Sequence, residues 1–239
     1  MLSVQDLGKN FGGLTAVKDL SFKLKQGEIL ALIGPNGAGK TTVFACLSGF
    51  LRAEQGQVIL EGQSLWGLSP HQICALGLAR TFQIVRPFLN ISVLDNVMVG
   101  AFLRQKSVAK AREAALKVLD FMGLARQAHK EAGGLPLPQR KRLELAKALA
   151  TGPRVLLLDE VMAGLNPTEV DELIALIRDI NRQGVSILLI EHVMRGVMAL
   201  AQRVLVINYG QLIAQGTPAE VVGNQEVIAA YLGRGLKHA

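Results

Sequence analysis

The chain has 239 residues, half of them apolar, enough for one large α/β domain with a substantial core. Its formal charge is +7, but the basic residues are scattered, aromatics make up only 5%, and no nucleic-acid motif is present, so the charge reads as a solvated basic surface. No apolar run approaches the ~18–20 residues needed to span a bilayer. No basic, apolar leader follows Met1, and Cys46 and Cys74 have no metal or redox spacing, so a reducing cytosol is expected.

Leu2 to Leu7 alternates as a strand, Lys9-Asn10-Phe11-Gly12-Gly13 reads as a turn, and Ala16 to Lys25 reads as a second strand. Leu20, Phe22 and Leu24 share one face of that strand; Ser21, Lys23 and Lys25 share the other. Gln26-Gly27 then turns the chain into Glu28 to Ile33, apolar enough for a buried parallel strand. Short antiparallel strands thus precede a parallel core.

The next stretch, Gly34-Pro35-Asn36-Gly37-Ala38-Gly39-Lys40-Thr41-Thr42, fits the phosphate-loop pattern G-x-x-x-x-G-K-[ST], and Lys40 to Leu47 reads as a helix start. Glycines let backbone N–H groups curl inward toward phosphate oxygens. The helix N-terminus adds a fixed partial positive charge. Lys40 can reach β- and γ-phosphates, and the Thr41 hydroxyl can ligate Mg²⁺.

Gln57 to Leu60 reads as a strand, Glu61-Gly62-Gln63 as a turn, and Ser69-Pro70 as a helix start. Arg80-Thr81-Phe82-Gln83 follows a short apolar run. Residues 91 to 122 are helical in pattern, with Ala111, Ala114, Ala115, Val118, Leu119 and Met122 forming an apolar stripe. After Gly133-Gly134 and two prolines, a helix is expected from about Gln139 to Ala150. Val155 to Leu158 is a buried strand ending in Asp159-Glu160. Asn166-Pro167-Thr168-Glu169 is a helix N-terminus, with Val170, Leu173, Ile174, Ile177 and Ile180 as the buried face and Gly184 at the end. Ser186 to Ile190, ending in Glu191-His192, is another buried strand, followed by Val204 to Ile207, Gln211 to Ala214 and a short helical tail. The helical stretch from about 84 to 150 is expected as a lobe inserted in a single domain spanning 1–239.

In a parallel α/β sheet, ligands sit at the carboxyl ends of strands. Asp159 and Glu160 therefore arrive beside the phosphates, where Asp159 can hold Mg²⁺ and Glu160 can orient and deprotonate an attacking water.

The ordered set of the loop at 34–42, Gln83, residues 135–139, Asp159-Glu160, the turn 163–166 and His192 resembles the ATP-binding cassette (ABC) ATPases over essentially the whole chain. Leu78 to Gln83, Val93 to Gly100 and Gly164-Leu165-Asn166-Pro167 look most like the ATPase subunits of branched-chain or hydrophobic amino-acid uptake systems. The resemblance implies a P-loop NTPase core of mainly parallel sheet, with an antiparallel β lobe and the inserted helical lobe. It implies ATP and Mg²⁺ as cofactors, and Thr41, Gln83 and Asp159 around the metal. Glu160 would be the base, His192 would contact the γ-phosphate, and Gln83 would sense it. Phe11 would stack on adenine or simply pack on the core; the residues leave both open. Partners would be membrane-spanning permease subunits and a second ABC ATPase, and the chain would lie peripherally on the cytoplasmic membrane face. No nucleic-acid partner is expected.

One segment departs from the family. The usual signature Leu-Ser-Gly-Gly-Gln is here Leu135-Pro136-Leu137-Pro138-Gln139. The serine hydroxyl and both glycines are gone, and Pro138 has no N–H. In the family this segment faces the nucleotide of the partner subunit. A heterodimer with a consensus partner would keep one full site, whereas a homodimer would have two weakened ones. Arg140-Lys141-Arg142 could restore positive charge there or form a solvated face. Val161 and Asn166 stand where proline and aspartate are common. Other solutes (urea, amides), a mainly ATP-binding regulatory role, a non-transport ABC ATPase and a nucleotide kinase are the rival readings.

Overall fold

The first strands pair antiparallel: β1 (Leu2–Phe11) with β2 (Leu14–Leu24), and β1 again with β4 (Gln55–Leu60), which carries the two-residue β5 (Gln63–Ser64) at the sheet edge. The computed structural model describes residues 1–82 and 87–232. The expected turn at Lys9 to Gly13 is shorter than predicted. Asn10 pairs with Thr15 and Phe11 with Leu14, so Lys9, Asn10 and Phe11 belong to the strand and only Gly12-Gly13 turns.

The second sheet is the parallel core. β3 (Ile29–Ile33) lies between β8 (Ser186–Ile190) and β9 (Arg203–Asn208); β7 (Val155–Asp159) and then β6 (Leu78–Arg80) extend it on the β8 side. Only β10 (Gln211–Gly216), hairpinned to β9, runs antiparallel. This is the α/β class expected. The short apolar run at 78–80, unassigned in the sequence, is a true edge strand in register with Val155, Leu156 and Leu157.

Period-2 alternation along the central strands divides the core. Ile29, Ala31 and Ile33 join Leu156, Leu158, Ile187 and Leu189 on one face, while Leu30, Leu32, Val155, Leu157, Leu188 and Ile190 face the other. The second face is covered by α1 (Lys40–Leu47), α2 (Pro70–Ala75) and the antiparallel sheet. The first is covered by helices that follow β6 and β7.

The predicted helical stretch 91–122 is two helices, α3 (Val93–Ala101) and α4 (Val108–Phe121). Each begins at a serine whose side chain accepts a backbone N–H, Ser92 from Asp95 and Ser107 from Lys110, and these caps divide the stretch. α5 (Leu137–Ala150) starts two residues before its expected position, with Pro138 in its first turn where no intrahelical N–H is needed. α3 and α5 cross closely: a Cβ on Gly100 would lie 2.4 Å from the Lys147 carbonyl oxygen.

α6 (Pro167–Arg182) forms as predicted, with all five expected residues buried and a complete capping box between Asn166 and Glu169. α7 (Met194–Leu200) was not foreseen, and α8 (Pro218–Val222) and α9 (Gln225–Leu232) make up the tail. Among the described residues no helix is long and apolar enough to cross a membrane. Because Asn166 satisfies the Glu169 N–H at 3.0 Å, Asn166→Ala should lower the unfolding free energy by about 1 kcal/mol in denaturant titration. Wild-type stability in that variant would show the cap to be idle.

Candidate functional site

The loop between β3 and α1 is wedged between two hairpins. A Cβ at Gly34 would fall 2.1 Å from the Ile207 carbonyl oxygen, and one at Gly39 (φ +104°) 2.3 Å from that of Ala16. Only glycine fits either place. The Gly210 N–H donates to the Ala38 carbonyl and the Lys18 N–H to that of Gly210, both at 2.9 Å, tying the β9–β10 turn to loop and first sheet. Gly34, Pro35 and Ala38 are buried supports; Asn36, Gly37, Gly39, Lys40, Thr41 and Thr42 line an open cleft of about 850 Å³.

Lys40 is buried, and its ammonium donates to the Gly34 carbonyl at 2.7 Å and the Pro35 carbonyl at 3.0 Å. At the cleft mouth stands Phe11, 45% exposed and therefore not a core residue, with the Lys9 ammonium 5.2 Å from its ring centre. Leu14 and Tyr209 stand in the same lining.

On the opposite side the ends of β7 and β8 bring up the acids. Asp159 is 1% exposed; its Oδ2 accepts from Arg80 Nη2 at 2.7 Å, and its Oδ1 has no hydrogen-bond partner among the described residues. Burial pushes its carboxyl above the usual range, against the pull of the Arg80 guanidinium. Glu160 adopts a left-handed backbone (φ +49°), uncommon for a side-chain-bearing residue. That conformation is fixed on both sides. Its N–H donates to the Ile190 carbonyl at 2.9 Å, and its carbonyl accepts from the Lys141 ammonium at 3.3 Å and the Ala163 N–H at 3.2 Å. Its Oε1 lies 2.7 Å from His192 Nε2, and both residues line the cleft.

The structure therefore gathers Phe11, the loop, Glu160 and His192 around one cleft, with Asp159 buried beside it. Gln83 lies outside the described residues. Of two further groups in this neighbourhood, Glu191 had no site reading in the sequence and Lys141 had one only as part of the basic triplet. Glu191, 2% exposed, accepts the Met162 N–H at 2.8 Å, and burial pushes its carboxyl up to about 7 despite nearby N–H groups and the Lys141 charge. Lys141 is itself 5% exposed, and burial pulls its ammonium down while Glu191 and Glu160 hold it up. No local pattern marks them; only burial does.

The side chains of the basic triplet beside residues 135–139 bind back onto the protein rather than forming a freely solvated face. Arg140 donates to the Leu135 and Gly133 carbonyls, both at 2.6 Å, and Lys141 to that of Glu160. Arg142 pairs with Glu172 at 2.6 Å.

Residues 17–163 match the ABC transporter family, and residues 211–237 match the family described as branched-chain amino acid ATP-binding cassette transporter. The chain belongs to the ABC transporter ATPase family. It is 43% identical to the high-affinity branched-chain amino acid transport ATP-binding protein LivG of Escherichia coli K12, over 98% of each chain. It is 41% identical to the corresponding protein BraF of Pseudomonas aeruginosa, also over 98% of each. A solved ATP-binding cassette of an ABC transporter, MJ1267 in its ADP conformation, superposes with a TM-score of 0.89 at 28% identity, covering 98% of both chains. This ABC ATPase domain is thus a nucleotide-binding one.

Glu191 titrates with a consequence for stability. Its carboxyl is raised from 4.5 in the unfolded chain to about 7 when folded. Its contribution is full below pH ~4.5 and is lost as pH rises through ~7. Unfolding free energies measured between about pH 5 and 8 should fall by an amount on the order of 3 kcal/mol that Glu191→Gln abolishes. An unchanged profile in that variant would contradict the assignment.

Proposed function

We propose that this chain is the ATP-hydrolysing subunit of an importer for branched-chain or other hydrophobic amino acids, acting on permease subunits at the cytoplasmic membrane face. The observation that carries the catalytic part is the 2.7 Å contact between Glu160 and His192, across the cleft from the phosphate loop. The cargo reading is supported by the similarity to LivG and BraF over nearly the full chain, together with the C-terminal match.

The loop N–H groups and the start of α1 would hold the phosphates. Lys40, whose ammonium already serves the Gly34 and Pro35 carbonyls, would add its charge to the β- and γ-phosphates. Phe11 would take the adenine ring. The partnerless Asp159 Oδ1 and the exposed Thr41 hydroxyl form an oxygen donor set that suits Mg²⁺, with Gln83 as a further ligand from outside the described residues. Bound there, the cation would neutralise phosphate charge. Glu160 would take a proton from water as its oxygen attacks the γ-phosphorus and the bond to the β-phosphate oxygen breaks, releasing ADP and phosphate. His192, held by Glu160, would orient toward the γ-phosphate.

The degenerate signature supports pairing with a second, different ATPase. Leu137 is 44% exposed at the start of α5 and packs beside Gly164, while Pro138 removes a donor from the first turn. The three basic side chains bind within this chain, to the Leu135, Gly133 and Glu160 carbonyls and to Glu172. Only the dipole of α5 remains to attract a phosphate held by the partner.

Mixing this chain with a family partner bearing Leu-Ser-Gly-Gly-Gln should raise ATPase activity well above that of either alone. Equal rates would sink the heterodimer, and ATP binding without turnover in the mixture would favour a regulatory subunit instead. Glu160→Gln should lower turnover by about 10²–10⁴-fold with ATP binding retained. Used as bait with MgATP on solubilised native membranes, that variant should recover polytopic membrane subunits and a second ATPase; recovery of ribosomes or nucleic acid would overturn the transporter reading.

A further inference from the structure

Arg80 carries a burden that the mechanism above does not use. Its side chain is 8% exposed, on edge strand β6, and it reaches across to the end of β7 to hold Asp159 Oδ2. The guanidinium carbon lies 5.8 Å from the Phe44 ring centre and 5.5 Å from that of Phe82, so rings from α1 and from the segment after β6 both contact it. Phe82 is in turn braced edge-on by Phe50, with centroids 5.5 Å apart and planes at 83°. A third tie runs from Nη1 to the Ser48 hydroxyl at 3.4 Å. That hydroxyl donates its own proton to the Phe44 carbonyl at 2.6 Å, so it is oriented to accept from Arg80.

A pair built only for stability would be expected to satisfy its polar atoms, since burying two charges gains little by itself. Here Arg80 Nε and Asp159 Oδ1 are both buried without a hydrogen-bond partner among the described residues. We propose that Arg80 is a positioning residue for the metal-holding carboxylate: it pins Asp159 by one oxygen and leaves the other oriented for the cation. The inference rests on the reading that Asp159 holds Mg²⁺. Its action is exerted through Asp159. Lysine cannot replace it, because a point-charge ammonium lacks the planar fork that contacts two rings, Ser48 and Asp159 together.

Mn²⁺ provides a readout separate from turnover. The full chain with ADP is titrated with Mn²⁺ and followed by electron paramagnetic resonance, alongside ADP binding in EDTA and thermal melting. Arg80→Lys should weaken Mn²⁺ binding by about tenfold or more, the range found when residues that orient a metal ligand are changed, and should alter the bound Mn²⁺ spectrum. ADP affinity in EDTA should stay at the wild-type value. Ser48→Ala, which removes the Nη1 contact together with the hydroxyl's bond to the Phe44 carbonyl but leaves the Arg80–Asp159 pair in place, should shift Mn²⁺ affinity in the same direction by a smaller factor, and it keeps the test open if Arg80→Lys fails to fold. A lower melting temperature with unchanged Mn²⁺ affinity and spectrum would make Arg80 merely structural and overturn the proposal. If Asp159→Asn also leaves Mn²⁺ affinity untouched, the metal reading itself falls; if only Asp159→Asn weakens it, the role of Arg80 alone is refuted.

Discussion

The site depends on a steric constraint: the close approach of two backbone carbonyls to the phosphate loop. The oxygens of Ile207 and Ala16 occupy the places where Gly34 and Gly39 would carry side chains. Such contact is tolerated only because those residues have no Cβ. It forces the first hairpin, the end of β9 and the loop into one fixed arrangement, reinforced by the bonds from Lys18 to Gly210 and from Gly210 to Ala38. The cleft follows from it. Phe11 and Leu14 lie at the tip of the first hairpin and Tyr209 in the β9–β10 turn, so all three are carried to the loop by the same packing.

Around that frame the structure accepts several buried charges. Asp159, Glu191 and Lys141 are each at most 5% exposed, and a charge taken out of water is costly unless it is paired. Each is offset differently. Asp159 has the Arg80 guanidinium at 2.7 Å, Glu191 has backbone N–H groups and keeps its proton up to about pH 7, and Lys141 has carbonyl and carboxylate neighbours. Their locations coincide with the ends of β7 and β8, where Glu160 is held in a left-handed conformation that costs of order 1–3 kcal/mol. One strained residue and three buried ionisable groups thus meet beside the Glu160–His192 pair.

What could be read from the sequence is what local chemistry dictates. The phosphate loop, the Asn166–Glu169 capping box and the apolar stripe of α6 are short-range patterns, and the fold reproduces them. The alternating faces of β3, β7 and β8 are unreadable as alternation, because both faces are buried and every residue but Asp159 and Ser186 at the strand ends is apolar. β6 is only three residues long and exists through pairing with β7. The division of 91–122 turned on Ser107, an ordinary polar residue until its side chain is seen to accept the Lys110 N–H. The direction of Arg140, Lys141 and Arg142 was beyond reach, since a charge run looks the same whether it faces solvent or folds back on carbonyls. Glu191 was passed over for the same reason: its significance lies in burial, which no spacing reveals.

The inward turn of that basic triplet also bears on asymmetry. α5 has two ends of interest within one turn. Its N-terminus presents Leu137 outward beside Gly164, followed by the half-buried Pro138, while Lys141, four residues on from Leu137, reaches the Glu160 carbonyl. A helix places residues four apart on the same side but about one turn along the axis. Changes at the first position therefore need not disturb the second. On the proposed pairing, loss of the serine and glycines would alter what the chain offers to a neighbouring nucleotide, while the contacts that hold its own Glu160 stay intact. Such a division is what a subunit needs if it is to hydrolyse ATP in its own cleft while lending little to the cleft of its partner, and it makes α5 the element through which the two sites would differ.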